Sequence, residues 1–310
     1  MAELKQYIFF DFEMLCSDKG MTFESMEAIR IGAVKYDLKT EKVSTFDQYI
    51  KPTSTKPLSL FCKNLTGIED KQLVNANDFK TVFEDFLTWV GGIKKSRFFS
   101  WSPSDLNRLR IDAAEHAIPN STITKIEKRY VDFQEIFTKR VSRTNASVES
   151  ALQLYGLQFI GEKHNPMYDS YNTLRIYLNF LHTPVESDLL MLKHFIFEEE
   201  PYSVARINLQ LKDKLICDLS SLIDHHDIFQ MKEARKLLKR TRNLVKKYNN
   251  ILINRSGLFD KENVLLVEKL VVFYHDFLQI FEEHDTCSSK VLILDDYIVK
   301  PVMQLQLKRG

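Results

Sequence analysis

Two carboxylates, Asp11 and Glu13, directly follow an apolar run at residues 7–10. Side chains along a β-strand repeat with a period of two, so both carboxylates point to the same face. Two negative charges at the end of a buried strand are costly unless something offsets them. Because Mg²⁺ prefers oxygen ligands, the pair predicts a site for a divalent cation.

Two later features fit the same chemistry. Asp105 follows a strand-like segment at residues 97–101, and His164 precedes Asp169 by five positions. Phosphodiester hydrolysis needs a nucleophile made from water and a stabilised leaving oxygen, and two divalent ions about 3.5–4 Å apart supply both. Imidazole titrates near neutral pH, so His164 suits a general base that takes a proton from the attacking water.

Each of these features is weak when taken alone. Asp-x-Glu occurs in most proteins of this size, an aspartate after a strand is usually a helix cap, and a single histidine is more often structural than catalytic. Their order along the chain carries more information: a strand Asp-x-Glu comes first, a post-strand Asp next, and a His and an Asp separated by four residues last. This order indicates a metal-dependent nuclease.

The first part of the chain alternates strand and helix signals. Strands are predicted at residues 6–13, 28–38, 43–50, 97–101 and 130–132. Helices are predicted after the third and later strands, with Asp78, Ser104 and Ser147 as N-caps. An antiparallel hairpin followed by β-α-β units predicts an α/β fold with a mixed five-stranded sheet flanked by helices.

Three motifs of the chain resemble those of the DEDDh 3′-to-5′ exonucleases, a family with an RNase H-like fold. The motifs are Asp11-Phe12-Glu13, Trp101-Ser102-Pro103-Ser104-Asp105 and His164-Asn165-Pro166-Met167-Tyr168-Asp169. Residues 62–68 look like the segment that lines the 3′-nucleotide pocket in this family, and residues 130–137 are similar to its fifth strand and following helix. The best-fitting branch is that of the enhanced-RNAi exonucleases and the bacterial KapD-like proteins. The resemblance covers residues 5–182.

The resemblance implies the composition of an active site. Two Mg²⁺ (or Mn²⁺) ions would be held by Asp11, Glu13, Asp105 and Asp169, with His164 as the general base. The substrate would be RNA or single-stranded DNA with a free 3′ end, and the product a nucleoside 5′-monophosphate. The candidate contacts to substrate are Phe12, Met14, Leu65, Thr66 and Trp101. Apolar and aromatic residues beside strands are usually core, so packing in the interior is the alternative for this set.

A boundary at Thr183-Pro184 divides the chain into an exonuclease-like domain at residues 1–183 and a second domain of unknown function at residues 184–310. The second domain is predicted to be mainly helical, with a helical hairpin at about residues 227–284. The first helix of this hairpin has many basic residues and one acid, Glu233. The basic residues are Lys232, Arg235, Lys236, Lys239, Arg240, Arg242, Lys246 and Lys247. Such a stripe suits a nucleic-acid backbone, and the alternative is a solvated face balanced by glutamates of the partner helix.

Composition restricts the class of protein. The chain has 310 residues, of which 44% are apolar and 27% charged, as in a soluble globular protein. Its net charge of +1 excludes a global field that attracts nucleic acid, so any attraction comes from a local patch. The four cysteines are scattered and lack CxxC spacing, which disfavours a zinc site and disulfides. The sequence lacks a run of about 18 apolar residues, so we expect no membrane-spanning helix. We therefore expect a cytoplasmic protein that does not bind membranes.

Three functions are compatible with the sequence. The first is an active exonuclease, which the intact set of four acids and one histidine favours. The second is a non-catalytic regulator or scaffold that uses the exonuclease fold and binds a protein partner through its helical domain. The third is the proofreading subunit of a polymerase. RNA is not distinguished from DNA, because no residue is assignable to a contact with the 2′-hydroxyl group.

Overall fold

The computed structural model describes residues 3–198, 202–220, 222, 228–294, 298 and 300. The chain divides into two compact units. The first unit comprises the described residues of 1–139 and 144–182, and the second those of 140–143 and 183–310.

The first unit is built on a six-stranded sheet. Its strands are β1 (Gln6–Met14), β2 (Ala28–Asp37), β3 (Val43–Lys51), β4 (Asn77–Asp78), β5 (Ser96–Ser100) and β6 (Tyr130–Asp132). The order across the sheet is β4-β3-β2-β1-β5-β6. The β1–β2 and β2–β3 pairs are antiparallel, while β1–β5, β5–β6 and β3–β4 are parallel. The sheet is therefore mixed, as predicted.

The predicted number of five strands is wrong, because β4 adds a sixth. Residues Asn77 and Asp78 pair in parallel with Ile50 and Lys51 at the end of β3. A strand of two residues is too short to show an alternating pattern, so the sequence gives no strand signal here. Asp78 also has the role predicted for it, since its carboxylate accepts a hydrogen bond from the N–H of Thr81.

In the described part of the first unit, eight α-helices flank this sheet or connect its strands. They are α1 (Leu60–Thr66), α2 (Asp70–Val74), α3 (Phe79–Val90), α4 (Pro103–Glu115), α5 (Asn120–Glu127), α6 (Phe133–Phe137), α7 (Val148–Leu154) and α8 (Pro166–His182). The prediction that Ser104 caps α4 is wrong: the N-cap is Ser102, because Pro103 with its fixed φ begins the helix. Ser147 caps α7 as predicted, accepting from the N–H of Ser150.

Strand β1 lies at the centre of the sheet and is covered on both faces. Ile8, Phe10 and Phe12 on one face pack in a core cluster with apolar residues of α3 and α4. On the other face, the ring of Phe9 stacks on Phe99, with ring centroids 4.7 Å apart. Strand β1 is therefore a fixed support for the carboxylates at its end.

The second unit is mainly helical. The α-helices among its described residues include α9 (Pro184–Met191), α10 (Ile207–Ser220), α11 (Met231–Tyr248) and α12 (Lys261–Thr286). A short antiparallel pair is formed by β7 (Ile228–Gln230) and β8 (Val291–Ile293). Helices α11 and α12 pack on each other around one apolar cluster, in the region where the helical hairpin is predicted. Among the described residues, none of the helices combines the length and apolar character needed to cross a bilayer.

Candidate active site

Three carboxylates from two elements meet at the end of β1. Asp11 and Glu13 come from β1, and Asp169 comes from the first turn of α8. Each offers an oxygen atom, and these three oxygen atoms lie within 4.8 Å of one another. All three residues are half-buried. Residues that are distant along the chain therefore form one compact acidic cluster.

Asp105 lies next to this cluster, in the first turn of α4. Its side chain is only 3% exposed, and its Oδ1 accepts a hydrogen bond of 3.1 Å from the backbone N–H of Phe12. Asp11 in its protonated form also donates to the carboxylate of Asp105. The packing of α4 against β1 thus places Asp105 beside Asp11. Asp105 is not part of the group formed by Asp11, Glu13 and Asp169.

Burial raises the pKa of every carboxyl group in this region, and repulsion between the carboxylates raises the pKa of Asp11 and Glu13 further. Burial raises the pKa of Glu13 to about 8, with a further contribution from the charge of Asp169. Burial also raises the pKa of Asp105 to about 7 and that of Asp169 to about 6. The pKa of Asp11 lies well above its usual range because of burial and the charges of Asp105, Asp169 and Glu13. Positive charge is what this set of groups lacks.

The cationic side chain opposite Glu13 is bound to another carboxylate. Arg30 lies directly opposite Glu13 in the β1–β2 ladder, and its charge lowers the pKa of Glu13. However, the guanidinium group binds both carboxylate oxygens of Asp47 on β3, at 2.8 and 2.7 Å. Because Arg30 is held by this bidentate pair, its positive charge offsets the charge of the acidic cluster only in part.

His164 lies on the loop that precedes α8, and its side chain is exposed. Its backbone has a φ of 59°, in the left-handed region that non-glycine residues rarely adopt. The N–H of His164 donates to the carboxylate of Asp169, which lowers the pKa of that carboxyl group. The loop is therefore attached to the acidic cluster through its backbone, and the imidazole extends from this attached segment into solvent.

Gly32 is a site-forming residue that was not predicted from the sequence. It pairs with Asp11 in the β1–β2 ladder, and its carbonyl accepts from the hydroxyl of Ser170 on α8. A Cβ atom at this position would overlap with backbone atoms of Pro166 and Met167 at the start of α8. The absence of a side chain therefore lets α8 approach the sheet and bring Asp169 to the cluster. A glycine inside a strand is the sequence signal for such a close approach.

Arg108 on α4 is a second missed residue. Its side chain is fully buried and forms an ion pair of 2.6 Å with Asp112, one turn further along the helix. Its guanidinium group also donates to the carbonyl oxygens of Phe23 and Met26, at 2.8 and 2.7 Å. Arg108 thus fixes the segment between β1 and β2 on α4, the helix that carries Asp105. The spacing of Arg and Asp by four residues on a helix is the corresponding signal in the sequence.

The structure separates the five predicted substrate contacts. Phe12 and Trp101 are 5% and 9% exposed and pack in the core, and the indole N–H of Trp101 donates to the carbonyl of Ala146. Thr66 is 7% exposed, and its hydroxyl is used within the end of α1. The side chains of these three residues lie in the interior, so the structure agrees with packing in the core and not with contact to a substrate. Leu65 is 39% exposed and Met14 is half-buried, so only these two keep surface for a ligand.

The donor set fits hard divalent cations. All four side chains offer oxygen atoms, which suit Mg²⁺, Mn²⁺ and Ca²⁺ rather than softer metals. The raised pKa values show that this cluster is electrostatically unfavourable by itself when ionised, so a bound cation would offset its charge. Asp11, Glu13 and Asp169 are the residues placed to share a cation, with Asp105 adjacent to Asp11.

Comparisons with known proteins agree with this geometry. The family model described as "Exonuclease" matches residues 8–177. The Caenorhabditis elegans protein named 3′-5′ exonuclease crn-4 is 27% identical over 178 residues, which span 54% of this chain and 59% of that protein. The human protein named ERI1 exoribonuclease 2 is 23% identical over 284 residues, which span 79% of this chain and 40% of that protein. The chain therefore spans only about half of the length of these relatives.

Solved structures share the fold of the first unit. The nuclease domain of 3′hExo, described as a DEDDh family member bound to rAMP, superposes with a TM-score of 0.53 at 23% identity. The match covers 60% of this chain and 97% of that domain. Cell-death related nuclease 4 gives a TM-score of 0.51 at 24% identity, over 58% of this chain and 64% of the other. The predicted RNase H-like fold is thereby confirmed, and since the family model covers more than half of its residues, the chain belongs to the exonuclease family.

Proposed function

We propose that the chain is a metal-dependent exonuclease that hydrolyses RNA or single-stranded DNA from the 3′ end and releases nucleoside 5′-monophosphates. The observation that carries this proposal is the convergence of Asp11, Glu13 and Asp169 beside the buried Asp105. Membership of the exonuclease family and the names of the relatives support the direction of attack.

Two Mg²⁺ or Mn²⁺ ions are the proposed cofactors. Asp11, Glu13, Asp105 and Asp169 would hold them, and when bound they would supply positive charge at the attacking and leaving oxygens of the phosphodiester. The metal-binding form of each acid is the carboxylate. Because the pKa values of Glu13 and Asp105 are about 8 and 7, cation binding near neutral pH displaces protons from the cluster.

His164 is the proposed general base. Its backbone N–H holds the loop at Asp169, while its exposed imidazole is free to accept a proton from the attacking water. Leu65 provides an exposed apolar side chain for the terminal nucleotide, at the end of a helix whose Thr66 hydroxyl is satisfied by backbone groups. The roles are thus separated: carboxylates bind cations, the histidine moves a proton, and the apolar surface positions the substrate.

The test is a time course with matched RNA and DNA oligomers that carry a fluorophore at the 5′ end. A 3′-to-5′ exonuclease produces a ladder of labelled products that shortens with time and requires Mg²⁺ or Mn²⁺. Asp11→Asn and Asp169→Asn should abolish the ladder, whereas Asp18→Asn, a change at an exposed acid outside the cluster, should not. Hydrolysis that persists in either cluster variant, or in EDTA, contradicts the proposal.

A further inference from the structure

Helix α11 carries a continuous positively charged surface. Five exposed residues recur at intervals of three or four positions, which places them on one side of the helix. We call this surface the basic face; its residues are Lys232, Lys236, Lys239, Arg242 and Lys246. The face runs over about 21 Å, at 1.5 Å per residue. The opposite side is buried in the core of the second unit through Ala234, Leu237, Leu238, Thr241 and Tyr248.

The charge of the basic face is not neutralised by ion pairs. Within the part of the chain that the structure describes, no carboxylate forms an ion pair with any of its five members. Two other basic residues of the helix differ in this respect, since Arg235 pairs with Asp285 at 3.0 Å and Lys247 with Asp218 at 2.8 Å. Like charges at this helical spacing repel one another. The basic face is therefore suited to a ligand that brings many negative charges.

The partner helix does not supply those charges. Its Glu262 pairs with Lys212 of α10 at 2.8 Å, and its Glu283 accepts a hydrogen bond from Gln279 of the same helix. Asp285 of α12 pairs with Arg235 of α11, which is outside the basic face. Within the described residues, α12 therefore forms no ion pair with the basic face.

We propose that the basic face of α11 binds the phosphate backbone of nucleic acid and gives the chain a second point of attachment to its substrate. This inference rests on the proposed function, because it takes nucleic acid as the polyanion concerned. The face carries no aromatic residue, so it lacks the stacking platform that single-strand binding proteins use for bases. Binding is therefore electrostatic, independent of base sequence and steeply dependent on salt.

An anionic membrane fits these observations less well. Helices that bind bilayers insert an apolar face between the lipids. In α11 the apolar face is already occupied, since Leu237 and Leu238 belong to the core cluster of the second unit. Only the charged side of the helix is available, and it contains no exposed apolar residue that could anchor it.

The experiment measures binding of the full-length protein to labelled RNA and DNA oligomers in EDTA, where metal-dependent hydrolysis cannot occur. The test variant replaces four lysines of the basic face by glutamine, which keeps the helix propensity: Lys232→Gln, Lys236→Gln, Lys239→Gln and Lys246→Gln. The matched control variant has the same change in net charge at four exposed lysines elsewhere: Lys94→Gln, Lys95→Gln, Lys261→Gln and Lys290→Gln. Circular dichroism and thermal melting establish that both variants are folded.

We expect the test variant to bind at least about tenfold more weakly at 0.1 M salt, with a salt slope smaller by about 0.7 for each lost contact to a single strand. The control variant should bind like the unmodified protein. Equal affinity and equal salt slope in the test variant would overturn the proposal. Binding to polyglutamate or to anionic lipid vesicles that is as tight as binding to RNA, and is lost in the same variant, would assign the basic face to another partner.

A small substrate separates this proposal from the proposed function. The p-nitrophenyl ester of thymidine 5′-monophosphate needs the carboxylate site but offers no backbone to α11, so the test variant should hydrolyse it at the unmodified rate. A reduced rate would show that the lysines act on the active site and would contradict a separate binding surface. If the unmodified protein binds RNA through the basic face but hydrolyses neither the ester nor the oligomers, the proposed function fails while the binding proposal stands.

Discussion

Replacing Glu13 by glutamine should abolish hydrolysis and yet stabilise the metal-free protein at alkaline pH. Glu13 is one of the three carboxylates whose oxygen atoms lie within 4.8 Å of one another, so its loss removes a cation ligand. Burial, together with the charges of Asp169 and Asp105, raises its pKa from 4.5 to about 8. Glutamine has nearly the same shape but cannot ionise, and it therefore relieves the repulsion that the folded state imposes on the glutamate.

The raised pKa fixes the sign and the pH window of the effect. The folded protein holds the proton of Glu13 more tightly than the unfolded chain, so the contribution to stability is complete below pH 4.5 and is lost as the pH rises through about 8. At about 1.4 kcal/mol per pKa unit, the full loss has an upper bound of about 5 kcal/mol. Because Asp169 and Asp105 titrate in the same range and share this energy, we expect about 2 kcal/mol for Glu13 alone.

The assay is differential scanning calorimetry in EDTA at a series of pH values from 5 to 9. A gain of about 2 kcal/mol corresponds to a rise in Tm of about 4–8 °C for a unit of this size. The difference between Glu13→Gln and unmodified protein should be small at pH 5 and largest at pH 9. Glu24→Gln, at an exposed acid of the same unit, is the control. A difference that does not change with pH, or a Glu13→Gln variant that melts lower at pH 9, would refute the reasoning.

Three further predictions concern residues that position or complete the site. His164→Ala should slow hydrolysis by about 10²–10⁴-fold while calorimetric titration finds the Mn²⁺ affinity unchanged, and weaker Mn²⁺ binding would contradict its role as a base. Gly32→Ala should cost about 3 kcal/mol of stability and most of the activity, because the new methyl group forces α8 off the sheet; the control Gly92→Ala, where a Cβ meets no atom within 4 Å, should melt like the unmodified protein. Arg108→Met should lower the free energy of unfolding by about 3 kcal/mol in urea titrations, because it leaves a buried carboxylate without its partner; a change below about 1 kcal/mol would show that the pair contributes little.

Local periodicity was sufficient to predict part of the site. Asp11 and Glu13 are two positions apart on one strand, and the pleat alone sends both to the same face. Their meeting with Asp169 depends on how α8 packs on the sheet, which no local pattern specifies. The order of motifs along the chain supplied this information through the family resemblance. In the structure, Asp11, Glu13 and Asp169 lie close together, and Asp105 lies beside Asp11.

The substrate contacts and the sheet edge were harder to predict for physical reasons. Trp101 and Thr66 have polar groups that suit a ligand, but partners within the fold already satisfy these groups. Whether a polar group finds a hydrogen-bond partner within the fold depends on tertiary contacts, which the sequence does not show. Strand β4 likewise exists because the chain before α3 passes beside the end of β3, and two residues carry no periodicity of their own.

The central place of β1 in the sheet affects how local unfolding reaches the acidic cluster. Residues 6–9 of β1 pair with β2 on one side and with β5 on the other, and we expect their amide hydrogens to exchange only when the whole unit opens. Asp11 and Glu13 continue the same strand and pair with β2, so fraying of distant loops or termini leaves their spacing intact. A cation that ties them to α8 would accordingly slow hydrogen exchange throughout the unit, and not merely around its own ligands.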